Sequence, residues 1–135
     1  MLFGRGGGVV RSPPDGSCFF HSISNGNGHE FRSRYATALH RNRRYVVELL
    51  KHLGGHDLVL ENGLDAYIAN VRHGMWGGYV DMYLICNLFK YEIVLHHRNE
   101  RNEIVATDRF VPQTGAPIRT CDVLFHNQHY DRLTA

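Results

Sequence analysis

The stretch "PPDGSCFFHSIS", residues 13–24, decides how the chain is interpreted. A turn of Pro, Asp and Gly precedes Cys18, and an apolar run that contains His21 follows it. This pattern predicts a tight turn that leads into a short buried helix, with Cys18 at the helix N-terminus. Two interpretations of Cys18 follow: a small buried hydrophobic residue, or a nucleophile whose thiolate is stabilised by the helix dipole.

Length, charge and cysteine usage narrow the class of protein. The chain has 135 residues, a formal net charge of +2 and three cysteines, at positions 18, 86 and 121. Widely spaced cysteines in odd number, without a CxxC pair, do not indicate a disulfide framework, so we expect an intracellular, cytoplasmic protein. No apolar run approaches the roughly 18 residues of a membrane span, and so small a charge does not indicate nucleic acid. We therefore expect neither a membrane nor a nucleic-acid partner.

The organisation predicted along the chain is one domain behind a short leader. The glycine-rich patch "GRGGG", residues 4–8, predicts a flexible lead-in over residues 1–8 and a single domain over residues 9–135. Helical spacing predicts a short helix from Cys18, then one helix or two with a break near Asn42 over residues 30–53, and helices over residues 64–71 and 78–90. The strands expected are "VVR", "YEIVLHH", "IVATDRFV", "CDVLFHN" and "HYDRL", the last two separated by a bend at Asn127 and Gln128. The fold class is therefore α+β, with helices packed against a small, mainly antiparallel sheet.

The best candidate for a base that would serve the thiol lies in "HNQHYDRL", residues 126–133. On a strand, residues i and i+2 point to the same side, so we expect His129 and Asp131 to lie side by side and Tyr130 to turn into the packing. A carboxylate beside an imidazole fixes its tautomer and favours the imidazolium. Backbone amides around residues 15–18 can also converge on an oxyanion, because Gly16 tolerates positive φ.

Three blocks of the sequence carry a family resemblance. "PDGSCFFHSI" resembles the D-G-x-C-x-F block of the ovarian tumour (OTU) family of cysteine proteases, and "HYDRL" is similar to its C-terminal histidine block. Between them, "MWGGYVDMYLICNLFKYEIVLHH" resembles the family's W-G-G stretch with its helix and strand. The resemblance implies a papain-related cysteine protease fold without a cofactor. It also implies a deubiquitinase that hydrolyses the isopeptide bond after the C-terminal glycine of ubiquitin through an acyl-enzyme thioester.

The resemblance also implies roles for individual residues. Cys18 matches the nucleophile, His129 the general base and then acid, and Asp131 the residue that orients His129. The oxyanion loop corresponds to Asp15, Gly16, Ser17 and Cys18, with Asp15 counted among the catalytic residues. Ser17 and Asp81 are mild departures, since the family often has Asn at the first position and Glu at the second.

A substrate channel is a further expectation. Trp76, Gly77 and Gly78 are either core plus a helix start or the border of a narrow slot that admits a Gly-Gly tail, and Asn127 is a further candidate there. Acidic side chains at positions 57, 61 and 65 either meet the arginines of the ubiquitin tail or belong to a solvated surface.

The expected partners are ubiquitin and polyubiquitin chains, with other ubiquitin-like modifiers as further substrates, and the expected state is a monomer. So compact a domain resembles the OTU proteases of viruses and some intracellular bacteria, which remove ubiquitin from host proteins. That resemblance implies a viral protein that counters host immunity in the host cytoplasm.

The remaining cysteines and histidines favour structural roles. Cys86 and Cys121 are interpreted as core residues, and His21 as a packing residue that alternatively contributes to the field of the site. A zinc site at Cys121, His126 and His129 is disfavoured because strand alternation sends residues 121 and 126 to opposite faces, so no metal is expected.

Other functions remain open at this point. One is a catalytically silent OTU-like module that binds ubiquitin, which the intact set of Cys18, His129 and Asp131 disfavours. Another is a nucleic-acid-binding domain that uses "HRNRR", residues 40–44, although a solvated helix face explains that cluster better. A cysteine hydrolase that acts on a small amide is a weaker third.

Overall fold

The computed structural model describes residues 8–12, 17–24, 26–53, 63–74 and 77–134. Within these ranges the helices are α1 (Cys18–Ile23), α2 (Gly28–Arg41), α3 (Arg43–Leu53), α4 (Leu64–Arg72) and α5 (Tyr79–Phe89). The strands are β1 (Gly8–Val10), β2 (Tyr91–Arg98), β3 (Ile104–Phe110), β4 (Arg119–His126) and β5 (His129–Thr134). This confirms the α+β prediction. None of the described helices combines the length and apolar character that a membrane crossing needs.

The strands form one sheet in the order β1-β5-β4-β2-β3. Strands β2 and β4 are parallel, and the other neighbouring pairs are antiparallel. Asn127 and Gln128 connect β4 to β5 with φ values of 50° and 59°, which is typical of a two-residue hairpin turn. The turn sets the register, so that His126 lies opposite His129 and Leu124 opposite Asp131.

Of the two alternatives for residues 30–53, the structure shows two helices with a break at Asn42. Asn42 ends α2 with a φ of −116°, and its side-chain amide donates a 2.8 Å hydrogen bond to the carbonyl oxygen of Ala38. Asparagine side chains compete in this way with the regular helix hydrogen bonds and favour helix ends. The chain therefore starts a new helix at Arg43.

Helix α1 lies inside the core. All six of its residues are buried, and it packs against α2, β4 and β5. The Phe20 ring lies 6.0 Å from the ring of Tyr35 and 6.4 Å from that of Phe31, centroid to centroid. The apolar run after Cys18 is thus a short central helix, as predicted.

Candidate active site

Cys18 is the first residue of α1, as the turn and the apolar run predict. Its exposed fraction is 0%. The hydroxyl of Ser22, one turn further along α1, donates a 2.8 Å hydrogen bond to the carbonyl oxygen of Cys18. The thiol is therefore both buried and located at a helix N-terminus, where the helix dipole favours negative charge.

His129 and Asp131 lie side by side at the start of β5, as predicted. The distance from His129 Nε2 to Asp131 Oδ1 is 2.7 Å, and Asp131 is 7% exposed. Because Nε2 faces the carboxylate, the other ring nitrogen, Nδ1, is the one that can exchange a proton with a second group. This is the arrangement of an oriented general base.

Hydrogen bonds link Asp131 to the helix of Cys18. The backbone N–H of Ser12 donates to Asp131 Oδ1 at 2.8 Å. The Ser12 hydroxyl lies 3.0 Å from the hydroxyl of Ser22, which in turn donates to Cys18 O. Sequence reasoning missed Ser12 and Ser22, because no local pattern shows that residues so far apart share a network.

Tyr130 turns into the packing, as predicted. Its ring lies 5.3 Å from the Phe19 ring and 4.8 Å from the Phe125 ring, centroid to centroid. Burial raises the pKa of Tyr130 to about 12, with the charge of Cys18 as the next contribution. The contact with Phe19, the residue next to Cys18, shows that β5 packs against the start of α1.

The predicted oxyanion loop is described in part. Asp15 and Gly16 lie outside the described residues, so their roles stay predictions. The hydroxyl of Ser17 accepts hydrogen bonds from Arg32 Nε at 3.2 Å and from Nη2 at 3.0 Å. Arg32, on α2, is 4% exposed, and sequence reasoning missed it because an arginine in a helix usually faces solvent.

The predicted channel is likewise described in part, since Trp76 lies outside the described residues. A Cβ at Gly77 would lie 2.3 Å from Cδ2 of Phe19, so any side chain there is excluded by the residue next to Cys18. A Cβ at Gly78 would meet no atom within 4 Å. Gly77 therefore has the packing role, while the channel role of both glycines stays a prediction.

Asp81 connects α5 to the helices around it. Its Oδ2 accepts a 3.0 Å hydrogen bond from the N–H of Gly78, and its Oδ1 accepts from the hydroxyls of Tyr35, at 2.7 Å, and Tyr67. Burial raises the pKa of Asp81 above its usual range, and these hydrogen bonds partly offset the rise.

Asn127 lies in the exposed turn between β4 and β5. Its side-chain amide nitrogen lies 3.1 Å from Nε2 of His126. The structure thus pairs Asn127 with His126, and its place in a channel stays a prediction. Of the three acidic positions, 57 and 61 lie outside the described residues, and exposed Asp65 pairs with Arg43 at 2.5 Å.

The surroundings of the other cysteines and of His21 indicate structural roles. Burial raises the pKa of Cys86 to about 12 and also raises the pKa of Cys121. The Nδ1 of buried His21 accepts a 3.0 Å hydrogen bond from the N–H of Gly28, which begins α2. These positions agree with core filling and packing. Among the described residues, no group of three or more His, Cys, Asp or Glu is placed to hold a metal ion.

Two further histidine–aspartate pairs escaped the sequence analysis. His96 Nε2 lies 3.1 Å from Asp122 Oδ1, and His97 Nε2 lies 2.8 Å from Asp108 Oδ2. Hydrogen bonds from His97 and Tyr79 lower the pKa of Asp108. Each pair joins two strands, so only the sheet pairing brings its members together.

Comparisons with known proteins identify the family and the fold. Residues 13–130 match the family described as OTU-like cysteine protease. A comparison with curated protein sequences found no match. Among solved structures, the chain is similar to the OTUD1 OTU domain, with a TM-score of 0.68, 16% identity and coverage of 96% of this chain and 86% of that chain.

Two further similar structures come from a virus and a bacterium. The Hazara virus OTU bound to ubiquitin has a TM-score of 0.71 and 22% identity, with coverage of 95% of this chain and 80% of that chain. An OTU deubiquitinase from Wolbachia pipientis wMel has a TM-score of 0.63 and 15% identity, with coverage of 98% of this chain and 90% of that chain. With the sequence match spanning most of its length, the chain belongs to the OTU-like cysteine protease family.

Proposed function

We propose that this protein is a deubiquitinase that hydrolyses the isopeptide bond after the C-terminal glycine of ubiquitin. The observation that carries the proposal is the 2.7 Å pair of His129 and Asp131, linked by hydrogen bonds to the helix that begins at Cys18. Membership of a cysteine protease family supports thiol chemistry at that helix. The similar Hazara virus domain, which was solved bound to ubiquitin, supports the choice of substrate.

In the proposed reaction, Nδ1 of His129 takes the proton of Cys18 Sγ, while Asp131 accepts the hydrogen bond from Nε2 and stabilises the imidazolium. The thiolate attacks the carbonyl carbon of the ubiquitin glycine and forms a tetrahedral oxyanion. When this intermediate collapses, the bond to the lysine nitrogen breaks, and His129 protonates the leaving amine. A thioester between Cys18 and ubiquitin remains.

The second half of the reaction releases ubiquitin. His129 removes a proton from a water molecule, whose oxygen attacks the thioester carbonyl. The intermediate collapses to the carboxylic acid of ubiquitin, and the Cys18 thiolate leaves and is protonated by His129. In both halves we assign the oxyanion to the backbone amide of Cys18 and the loop from Asp15 to Ser17.

Burial of the thiol favours a substrate with a narrow tail. Because Cys18 is 0% exposed, a carbonyl carbon reaches Sγ only after neighbouring atoms shift. A tail of two glycines requires a smaller shift than any tail with side chains. The open space at Gly78, beside the glycine that packs on Phe19, is the proposed path for such a tail.

The finer parts of the proposal concern substrates and setting. We include polyubiquitin chains and ubiquitin-like modifiers among the substrates, acted on by a monomer in the cytoplasm. Viral origin and a role against host immunity remain predictions, which the similarity to viral and bacterial domains alike does not decide.

A ubiquitin probe with a C-terminal electrophile tests the proposed function. Wild-type protein should form a covalent adduct with the probe, Cys18→Ala should form none, and Cys86→Ala should react like wild type because its thiol is inert. Labelling is measured by the mass shift of the intact protein. Ubiquitin binding without labelling would identify a silent binding module instead. Absence of both binding and labelling would contradict the proposal.

A further inference from the structure

Arg32 is a buried arginine that contacts the residue directly before Cys18. Arg32 and Ser17 are each 4% exposed. Two donors of the guanidinium, Nε at 3.2 Å and Nη2 at 3.0 Å, converge on the Ser17 hydroxyl oxygen. Because both donors belong to one rigid planar group, they fix the position of that oxygen more closely than a single flexible donor would.

The rest of the guanidinium is held by other helices. Its Nη1 donates a 2.7 Å hydrogen bond to the carbonyl oxygen of Val71 in α4, and its central carbon lies 4.3 Å from the centroid of the Phe20 ring. Burial of a charge is unfavourable unless its donors are satisfied. Arg32 therefore forms a rigid connection between α2, on which it sits, and the start of α1.

This contact changes what Ser17 does at the helix N-terminus. Serine at this position usually caps a helix by accepting a hydrogen bond from an amide of the first turn. The Ser17 side chain makes no such capping bond to α1 and accepts from Arg32 instead. The Ser17 hydroxyl is thus held by a residue of α2 rather than by the first turn of α1.

Helix α1 also needs outside support. It has six residues, fewer than an isolated helix requires for stability, so the position of its first residue depends on tertiary contacts.

We propose that Arg32 is a positioning residue for the nucleophile. By holding the Ser17 hydroxyl, it keeps Ser17 and the start of α1 in the orientation that presents Sγ to His129 and the amides of the first turn to the oxyanion. The proposal rests on the proposed function, because it concerns the same thiol. Arg32 itself does not touch the substrate.

Steady-state cleavage of a fluorogenic ubiquitin substrate tests this role in Arg32→Lys and Arg32→Met. We expect both variants to lose kcat by about 10- to 100-fold, because misplacement of a reacting group by about 1 Å has an effect of this size. We expect KM to stay within about twofold of wild type, since Arg32 does not bind the tail. The matched control is Arg34→Met, which changes an exposed arginine on the same helix and should keep the wild-type kcat.

A second variant checks that Arg32 acts through Ser17. Ser17→Ala removes the acceptor and should lower kcat in the same way. The double variant with Arg32→Lys and Ser17→Ala should be no slower than the slower single variant, because residues that act as one unit are not additive. Fully additive losses would overturn the proposed route. If Arg32→Met does not fold, Arg32→Lys and Ser17→Ala still decide the question.

A measurement without ubiquitin separates this proposal from the proposed function. Ultraviolet absorbance, with Cys18→Ala as the blank, reports the fraction of Cys18 present as thiolate at neutral pH. Both Arg32→Met and Arg32→Lys should lower this fraction, because the proposed displacement moves Sγ away from the imidazole that stabilises the thiolate. If wild type cleaves no ubiquitin substrate, the proposed function fails, and an unchanged thiolate fraction in Arg32→Met would then overturn the role of Arg32.

The Arg32 variants would behave differently if Arg32 had a purely structural role. In that case both Arg32 variants would show a lower Tm but a wild-type kcat per folded molecule, with the folded fraction measured by circular dichroism. That result would overturn the proposal.

Discussion

The pairs His129–Asp131 and His96–Asp122 place the same two functional groups on the same face of one sheet. In the first pair, the partners follow one another along β5 at i and i+2, with 2.7 Å between the bonded atoms. In the second pair, the partners lie on the parallel neighbours β2 and β4, with 3.1 Å between the bonded atoms. Both imidazoles thus have a carboxylate partner.

The two pairs differ in the further groups that they contact. Asp131 connects through Ser12 and Ser22 to the helix of Cys18. The second ring nitrogen of His96, Nδ1, lies 3.4 Å from the hydroxyl of Thr107 on the strand β3. A histidine–carboxylate pair is therefore a candidate base only where the fold packs it against the element that carries a candidate nucleophile, as β5 packs against α1.

The largest expected effect separates the two histidines. His129→Ala should lower kcat/KM by about 10³-fold or more, because it removes the proposed general base and acid. His96→Ala should keep kcat/KM within about threefold of wild type, although loss of a buried group should lower its Tm. Cleavage of a fluorogenic ubiquitin substrate measures both variants at equal folded concentration. Similar losses in both would remove the distinction between the pairs.

The next effect concerns the carboxylates. Asp131→Ala should lower kcat by about 10²-fold, less than His129→Ala, because the base remains but loses the group that orients it. Asp122→Ala is the matched control and should leave kcat near the wild-type value. Asp131→Asn keeps an acceptor for the N–H of Ser12, so its kcat separates the loss of charge from the loss of that hydrogen bond. Wild-type activity in Asp131→Ala would show that Asp131 does not orient His129.

The smallest effect concerns a buried carboxylate held by tyrosines. Burial raises the pKa of Asp81, so the folded state holds its proton to higher pH than the unfolded state does. The stability from this proton is present below the unfolded value of about 4 and is lost as pH rises through the raised pKa. The Tm of wild type relative to Asp81→Asn should therefore fall over that range, by a few degrees.

Thermal unfolding of both proteins across acid and neutral pH measures the difference. A Tm difference that stays constant with pH would show that Asp81 titrates normally in the folded state. Asp131 and Asp81 are both buried carboxylates, but their partners differ. Asp131 contacts an imidazole, whereas Asp81 accepts hydrogen bonds from the hydroxyls of Tyr35 and Tyr67.

Local patterns were enough to predict much of the secondary structure and one half of the site. The break at Asn42, the start of α1 at Cys18 and the bend at Asn127 and Gln128 all follow from capping, helical spacing and turn chemistry. The contact between His129 and Asp131 is equally local, because strand alternation places i and i+2 on one side. These features depend only on residues that are near one another in the chain.

Long-range contacts required the structure. The parallel pairing of β2 with β4, the Arg32 contact with Ser17 and the Ser12 contact with Asp131 join segments whose sequences carry no sign of each other. An arginine in an amphipathic helix has the same local pattern whether it faces solvent or a buried hydroxyl. Its partner is decided only when the helices pack.

The sequence by itself determined that a thiol begins a buried helix and that a histidine and a carboxylate share one side of a later strand, because short-range backbone geometry dictates both. Only the tertiary structure decided which further groups bond to the residues around that thiol: Arg32 donates to Ser17, and Ser12 contacts both Asp131 and Ser22. Packing brings distant segments together, and the buried polar groups must then find hydrogen-bond partners among whatever the fold places beside them.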